Sequence, residues 1–585
     1  MRATPVRSTI ALLVALAIPL SALAACSSDS SDGGGSSTTT SSAKGAEPGG
    51  EGTDGEGTDG ASPLADRFEA IPAAKVEGPV TGGTYGVPYL GMPEGWDQEY
   101  GYTEEEYFLS GDATSYEAKG TLTKDGQWDV AATDETAPYT TRVVVRRPAE
   151  AKDFNGTLVV EWLNVSAGRD SDPDFGFLAD ELLSNGYAYA AVSAQKMGVE
   201  PGGLGIPIPN VPEEALAPLK TWDPERYGSL SHPGDDFSYD IFTQAARTVA
   251  EAGKGTPLGD LDVQRVIAVG ESQSAFRLTT YVDAVQPVTD LFDGFLVHSR
   301  GLAAADLAEG QTPPAGTQIR TDATDPVLQF ETETDLQGLG FVGARQDDHE
   351  HLVTWEAAGT AHADRSTLDY AVQAGRRWTD ANVDLSTTCG RINEGPQQII
   401  VQQAFDSLHD WVVDGTKPAT SPRLEMDADG KVVRDADGIA EGGIRTPAVD
   451  APTAILTGEN PTDSVICSLF GSTTPLTPEQ LAARYEDHDA YVAAVTESAD
   501  AAVAEAIVEL TAKLRAKLHD EKQPVDAAVK IELVHRLQAA GQLVKGLFIH
   551  RKISSLDGRC GFQVFVWPRR GRLFQRSRES RDQRR

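Results

Sequence analysis

Between residues 140 and 359, short apolar runs alternate with stretches whose apolar positions recur every three or four residues. TTRVVVRRP (140–148) reads as a strand, and GTLVVEWLNVS (156–166) as another that is apolar on both faces. FGFLADELLSNG (175–186) has helical spacing and a glycine stop, and YAYAAVSAQ (187–195) is the next strand. Further on come the helix YDIFTQAARTVAEAG, the strand VQRVIAVG and the helix AFRLTTYVDAV. The strands FDGFLVHS (292–299), PVLQFET (326–332) and HLVTWEAAG (351–359) complete the series. Apolar strands alternating with amphipathic helices predict an α/β fold, a mostly parallel central sheet with helices on both faces.

Three segments interrupt this rhythm. From about Asp66 to Thr140 the chain reads as Gly/Pro-rich loops with short strands such as EEYFLSGDA. Residues 197–235 form a long Pro/Gly-rich insertion, the length of a lid or binding loop, whose Leu204, Ile206 and Ile208 either line a site or pack on the body. From Pro475 to Leu518 helical periodicity returns after the start signal TPEQ, which predicts a C-terminal helical cap on the sheet. The acidic DADGKVVRDADG (427–438) resembles a calcium loop but has Gly438 where the twelfth position needs a glutamate.

The ends of the chain carry other signals. Arg2 and Arg7 precede an apolar segment ending in Leu23-Ala24-Ala25-Cys26, a signal peptide with a lipobox in which Cys26 takes the lipid. Residues 27–62 hold no aromatic residue and repeat EGTDG, so they cannot offset their ordering entropy and are expected to be a flexible tether. The main domain is expected over 66–520, with an atypical extension over 521–585. The last 35 residues of that extension are basic, eleven lysines and arginines against three acids. A basic tail can serve nucleic acid or anionic lipid, or be an accidental extension; no function is assigned to it.

Composition narrows the classes. With 40% hydrophobic and 24% charged residues, the 585-residue chain is an ordinary globular protein apart from its ends. A net charge of −38 argues against non-specific nucleic-acid binding, since phosphates are repelled. The cysteines Cys26, Cys389, Cys467 and Cys560 contain no CxxC or Cys/His cluster, so no metal site is expected. In an oxidising exterior Cys389 and Cys467 either form a disulfide or stand as two separate thiols.

The candidate chemistry centres on Gly270-Glu271-Ser272-Gln273-Ser274, between a strand and a helix. A nucleophile elbow needs small residues two before and two after its serine, and Gly270 and Ser274 supply them, although glycine is usual at the second place. Such a turn aims the N–H of Gln273 at a developing oxyanion. A serine needs a base, and the base an orienting acid, in the chain order serine, acid, histidine. His362 follows one strand and the acids of ETETD follow another, with Asp335 better placed than Glu333. Asn164, or the N–H of Val165, is the second oxyanion donor. His298 and Arg300, at the end of a further strand, are candidates to hold a polar substrate group or to make structural contacts.

The segments PYTTRVVVRRP, NGTLVVEWLNVS, YGSLSHPGDDFSYDIF, VGESQSA, FLVHSRG, LQFETETD and AGTAHAD resemble the bacterial "alpha/beta hydrolase domain" family of secreted and lipid-anchored proteins. The likeness continues through WVVDGTKP, GGIRTP and SLFGSTTPLTPEQLAARY, covering roughly residues 80–500; beyond about Glu505 the chain departs from the family's short ending. The resemblance implies an α/β-hydrolase fold with Ser272 as nucleophile, His362 as base and an acid within ETETD. The expectation is a lipoprotein on the outer face of the bacterial cell membrane, held by its lipid anchor and hydrolysing a small-molecule ester without a cofactor. An amidase or peptidase using the same triad, and a non-catalytic envelope binding lipoprotein, are the rival readings.

Overall fold

Apolar side chains on both faces of a strand can be buried only where helices cover both sides, and the strands at the middle of the sheet have that composition. The computed structural model describes residues 63–501, except 204, 209–215, 254, 380–383 and 463. The leader, Cys26, the tether, Leu204 and the 521–585 extension with Cys560 therefore lie outside the described residues.

Eleven strands are seen among the described residues: β1 Lys75–Glu77, β2 Tyr102–Ala118, β3 Val130–Pro148, β4 Thr157–Trp162, β5 Ala188–Val192, β6 Arg265–Glu271, β7 Gly294–His298, β8 Val327–Thr332, β9 Leu352–Ala357, β10 Ala454–Thr457 and β11 Ser472–Pro475. The first nine form one sheet in the order β1-β2-β3-β5-β4-β6-β7-β8-β9, and β10 and β11 pair separately. From β5 across to β9 every pairing is parallel, whereas β1, β2 and β3 join antiparallel at one side. Alternate residues feed two cores. Val266, Ala268, Phe295 and Val297 pack with the helix Ser238–Ala250, and Ile267, Val269, Leu296 and Phe330 with the helices Pro173–Ser184 and Gln397–Asp414.

The expected helix after VIAVG spans Gln273–Thr280 and runs on through a π-helical turn, Tyr281–Val285. The segment before residue 140 differs from expectation. Its short strands are one hairpin of 17 and 19 residues, β2 and β3, with a register shift between Thr114 and Tyr116. Charged residues disguised it, because they stand where apolar ones are expected and pair in the interior. Glu104 lies opposite Arg146 across the ladder, and Arg142 and Arg146 are both fully buried.

Those two arginines hold the loop that follows β4. Arg142 Nη2 is 2.9 Å from Asp170 Oδ2, and its Nε donates to Ser193 Oγ at 3.0 Å. Arg146 bonds Asp172 Oδ2 at 3.2 Å and Glu104 Oε2 at 3.1 Å. Glu106 in turn takes Arg226 Nε at 2.6 Å. At the other end of the domain, the described C-terminal helices lie against residues 437–452. Tyr485 donates to the Pro452 carbonyl, and Ser498 to Asp450.

Removing one member of a buried ion pair strands its partner's charge, at a cost of about 3–5 kcal/mol. Arg142→Met is expected to lower the free energy of unfolding, read from urea titration, by that amount. An unfolding free energy within about 0.5 kcal/mol of wild type would show that this clamp is dispensable.

Candidate active site

β6 ends at Glu271 and the helix begins at Gln273, so Ser272 alone makes the turn, at φ 61° and ψ −119°. A side chain rarely takes that conformation, and it persists only where the surroundings impose it. A Cβ at Gly270 would lie 2.9 Å from Leu278 Cδ1 and 3.1 Å from Ser274 Cβ, so residues 270 and 274 must both be small. The N–H of Ser272 donates to the His298 carbonyl at 2.9 Å, which fixes the turn to the next strand.

Ser272 Oγ lies 2.8 Å from His362 Nε2, and His362 Nδ1 lies 2.7 Å from Asp335 Oδ1. The other Asp335 oxygen accepts from the Thr332 N–H at 2.7 Å and the Thr332 hydroxyl at 2.6 Å. This capping box opens the short helix Glu333–Gln337 and leaves the carboxylate one way to face. Glu333 is turned elsewhere. Its carboxylate accepts the N–H groups of Gly359 at 2.7 Å and Gly458 at 3.0 Å and pairs with Arg434 at 2.7 Å.

His362 sits in a turn that begins at Gly359, φ +75°. Its N–H donates to Thr334 Oγ1 at 3.2 Å, and the Ala363 N–H to the Leu469 carbonyl at 2.9 Å. Asn393 reaches the Gly359 and Thr457 carbonyls at 3.1 Å each. The segments that supply Asn393 and Leu469 are joined by the disulfide Cys389–Cys467.

Asn164 is placed differently from expectation, and of the two readings of His298 and Arg300 the structure has the structural one. Asn164 is no oxyanion donor: its N–H bonds the Ser171 carbonyl at 2.9 Å, and its amide bonds the Glu271 carbonyl at 3.1 Å. The Val165 N–H next to it lies 3.5 Å from the Gln273 side-chain oxygen. The Gln273 N–H is the first of its helix and has no partner within it. His298 and Arg300 are fully buried and cannot hold a substrate group. The strand's end turns them inward, His298 onto Asp174 at 2.7 Å, and Arg300 onto the Thr317 carbonyl and the Phe341 ring.

The insertion reaches the loop after β4. Its Ile206 N–H donates to the Ser166 carbonyl at 2.8 Å, and Ile208 packs with Leu368 and Ile466 on the body.

One buried acid near Ser272 carries no role in the sequence reading. Glu271 Oε1 is 3.3 Å from His362 Nε2, and its Oε2 is 3.3 Å from the Asn164 amide. Burial pushes its carboxyl up to about 7, against the pull of the His362 and His298 rings. For His362, burial disfavours the charged ring, but Glu271 and Asp335 outweigh it and raise the imidazole to about 9. Strand parity is the signal that finds Glu271. It continues the Ile267, Val269 face, which points into the core. No group of metal-ligating residues is present among the described residues.

The family described as "Alpha/beta hydrolase domain" matches residues 76–516. None of the curated proteins matches the chain. Similar solved structures include acetyl xylan esterase 1 from a Thermoanaerobacterium species, 12% identical over 54% of this chain and 99% of that one, TM-score 0.24. A fungal esterase from Rhizomucor miehei is 11% identical over 52% and 85%, TM-score 0.24. The glucuronoyl esterase from Solibacter usitatus is 13% identical over 46% and 86%, TM-score 0.22.

The disulfide closes 78 residues of chain, and loss of such a bridge costs about 2–5 kcal/mol. Serine at both Cys389 and Cys467 is expected to lower Tm. A reductant should reproduce that fall in the wild-type protein and leave the double variant unmoved.

Proposed function

This chain belongs to the alpha/beta hydrolase domain family, and on that premise we propose that it is an exported, lipid-anchored serine hydrolase acting on carboxylic esters. The observation that carries this reading is the chain of contacts from Ser272 Oγ to His362 Nε2 at 2.8 Å and from His362 Nδ1 to Asp335 at 2.7 Å. Ser272 gives its proton to His362 as it attacks the carbonyl carbon. Asp335 fixes the ring with Nδ1–H toward itself and stabilises the imidazolium that forms. The Gln273 N–H, at the positive end of a helix, receives the oxyanion, joined by the Val165 N–H once it gives up its long 3.5 Å bond to the Gln273 side chain. His362 then protonates the leaving alcohol. Water, deprotonated by the same ring, releases the acid from the acyl-enzyme. The chemistry requires no metal or cofactor.

The anchor rests on the leader and on Cys26 of Leu23-Ala24-Ala25-Cys26. The Cys389–Cys467 bridge supports an oxidising compartment outside the cytoplasm. The substrate is a small molecule with an ester carbonyl; an amide substrate or plain binding would show itself in the same experiment.

A fluorophosphonate probe is expected to label the wild-type protein and not Ser272→Ala, and p-nitrophenyl esters to be hydrolysed only by the former. Asp335→Asn is expected to lower kcat about ten-thousand-fold. Folded wild-type protein that neither labels nor turns over esters would overturn the catalytic reading in favour of a binding lipoprotein. Turnover of amides in preference to esters would make it an amidase. In a bacterial host, Cys26→Ala is expected to move the protein out of the membrane fraction. Retention there would overturn the anchor.

A further inference from the structure

Next to the nucleophile lies a second carboxylate whose position the proposed reaction does not require. Glu271 is the last residue of β6, and its side chain points to the same face as Ile267 and Val269. There its Oε1 comes within 3.3 Å of His362 Nε2, the nitrogen that Ser272 Oγ approaches at 2.8 Å. Asp335 stands on the other side of the ring, 2.7 Å from Nδ1. The imidazole is thus held between two buried acids, one at each nitrogen.

We infer that Glu271 is a positioning residue for the proposed hydrolysis, gripping His362 at Nε2 and setting the pH above which that ring can take the Ser272 proton. The inference rests on the serine-hydrolase reading and adds to it a residue and a pH range. The charged and titratable groups that face Glu271 come from four elements. They are His362 after β9, His298 at the end of β7, Asp174 in the helix Pro173–Ser184, and Asp335 in the helix after β8. His298 is itself engaged by Asp174 at 2.7 Å, and Asn164 donates to the second Glu271 oxygen at 3.3 Å. These neighbours leave the Oε1 oxygen directed at His362.

The proton inventory follows from that geometry. A lone pair on Nε2 facing a carboxylate oxygen is repulsive, so an ionised Glu271 favours a proton on Nε2. With Nδ1–H donated to Asp335, that makes the ring an imidazolium, and an imidazolium has no lone pair for the serine. Loss of one proton from Nε2 to solvent frees the lone pair, and Ser272 can then be deprotonated as its oxygen bonds the carbonyl carbon. The raising of His362 to about 9 by its two acids agrees in direction. The base is therefore unavailable below that range and available above it. When the ring is charged again during attack, Glu271 stabilises it together with Asp335.

The test is the pH dependence of fluorophosphonate labelling and of kcat/KM for a p-nitrophenyl ester. In the wild-type protein both are expected to rise with pH through a single ionisation whose midpoint lies at about 9. Glu271→Gln keeps the shape and can still accept from Asn164, but it lacks the charge. Its rising limb is expected about 1–3 pH units lower, the shift that one nearby opposite charge produces. Glu271→Asp, charged on a shorter arm, is expected to return the limb part of the way.

A wild-type limb at the ordinary histidine value of about 6.5 would overturn the inference without any variant. So would a Glu271→Gln protein that is slower but keeps the wild-type limb, since a purely structural residue changes the height of the profile and not its midpoint. Failure of the serine-hydrolase reading looks different, as folded wild-type protein then labels at no pH.

Discussion

A serine held at φ 61° and ψ −119° is the constraint around which the site is organised. Such a backbone is disfavoured for any residue with a Cβ, and it survives because the elements on each side leave no alternative. β6 is paired on both sides, with β4 and β7, and the helix from Gln273 packs back onto it through Leu278 and Ala275. The strand cannot bend and the helix cannot lift, so the whole reversal falls on one residue. That reversal lifts the hydroxyl clear of the carboxyl end of the parallel sheet. The same edge receives Asp335 from β8 and His362 from β9, because parallel strands deliver all their C-terminal loops to one side.

The acids near this edge are sorted by the direction each is forced to face. In Glu331-Thr332-Glu333-Thr334-Asp335 the chain passes from strand to helix. Glu331 still obeys strand parity and is buried within the sheet, where burial drives its carboxyl well above the usual range. Glu333 opens the helix and staples three other segments through Gly359, Gly458 and Arg434. Asp335, two residues on, is turned by the Thr332 capping box toward His362. Three carboxylates in one motif thus face three different surroundings, decided by the change of period from two to 3.6 residues.

This sorting also explains what could be read in the sequence. The central strands were legible because they are apolar throughout. The order Ser272, Asp335, His362 was legible because each residue follows a recognisable strand. The β2–β3 hairpin was not, since its interior holds Glu104, Glu106, Arg142 and Arg146, and a charge on an inward position looks like a surface residue until its partner is known. His298 and Arg300 are ambiguous in the sequence for a different reason. Polar residues at the end of a parallel strand suggest a site, yet the parity of β7 sends His298 into the helix layer. Glu271 stands between Gly270 and Ser272 in a turn motif that places no requirement on its own position. Partners far apart in sequence, such as Asp174 with His298 at a separation of 124 residues, are visible only once the chain is folded.

Two acids on one imidazole pull against each other in function. Both stabilise the imidazolium, which is the charge state formed as the serine attacks, and in a buried site that help is larger than water would allow. Both also stabilise it before substrate arrives, when the ring must be neutral to act as a base. A carboxylate at Nδ1 avoids the conflict, because it bonds a hydrogen that the ring carries in either state. A carboxylate at Nε2 does not, because it competes with Ser272 for the one nitrogen that must give up its proton. The protein tempers this with distance and solvation. Glu271 stands at 3.3 Å against 2.7 Å for Asp335, and burial holds its own carboxyl up to about 7, so its charge is shed on mild acidification. The arrangement suits a base that works best where protons are scarce.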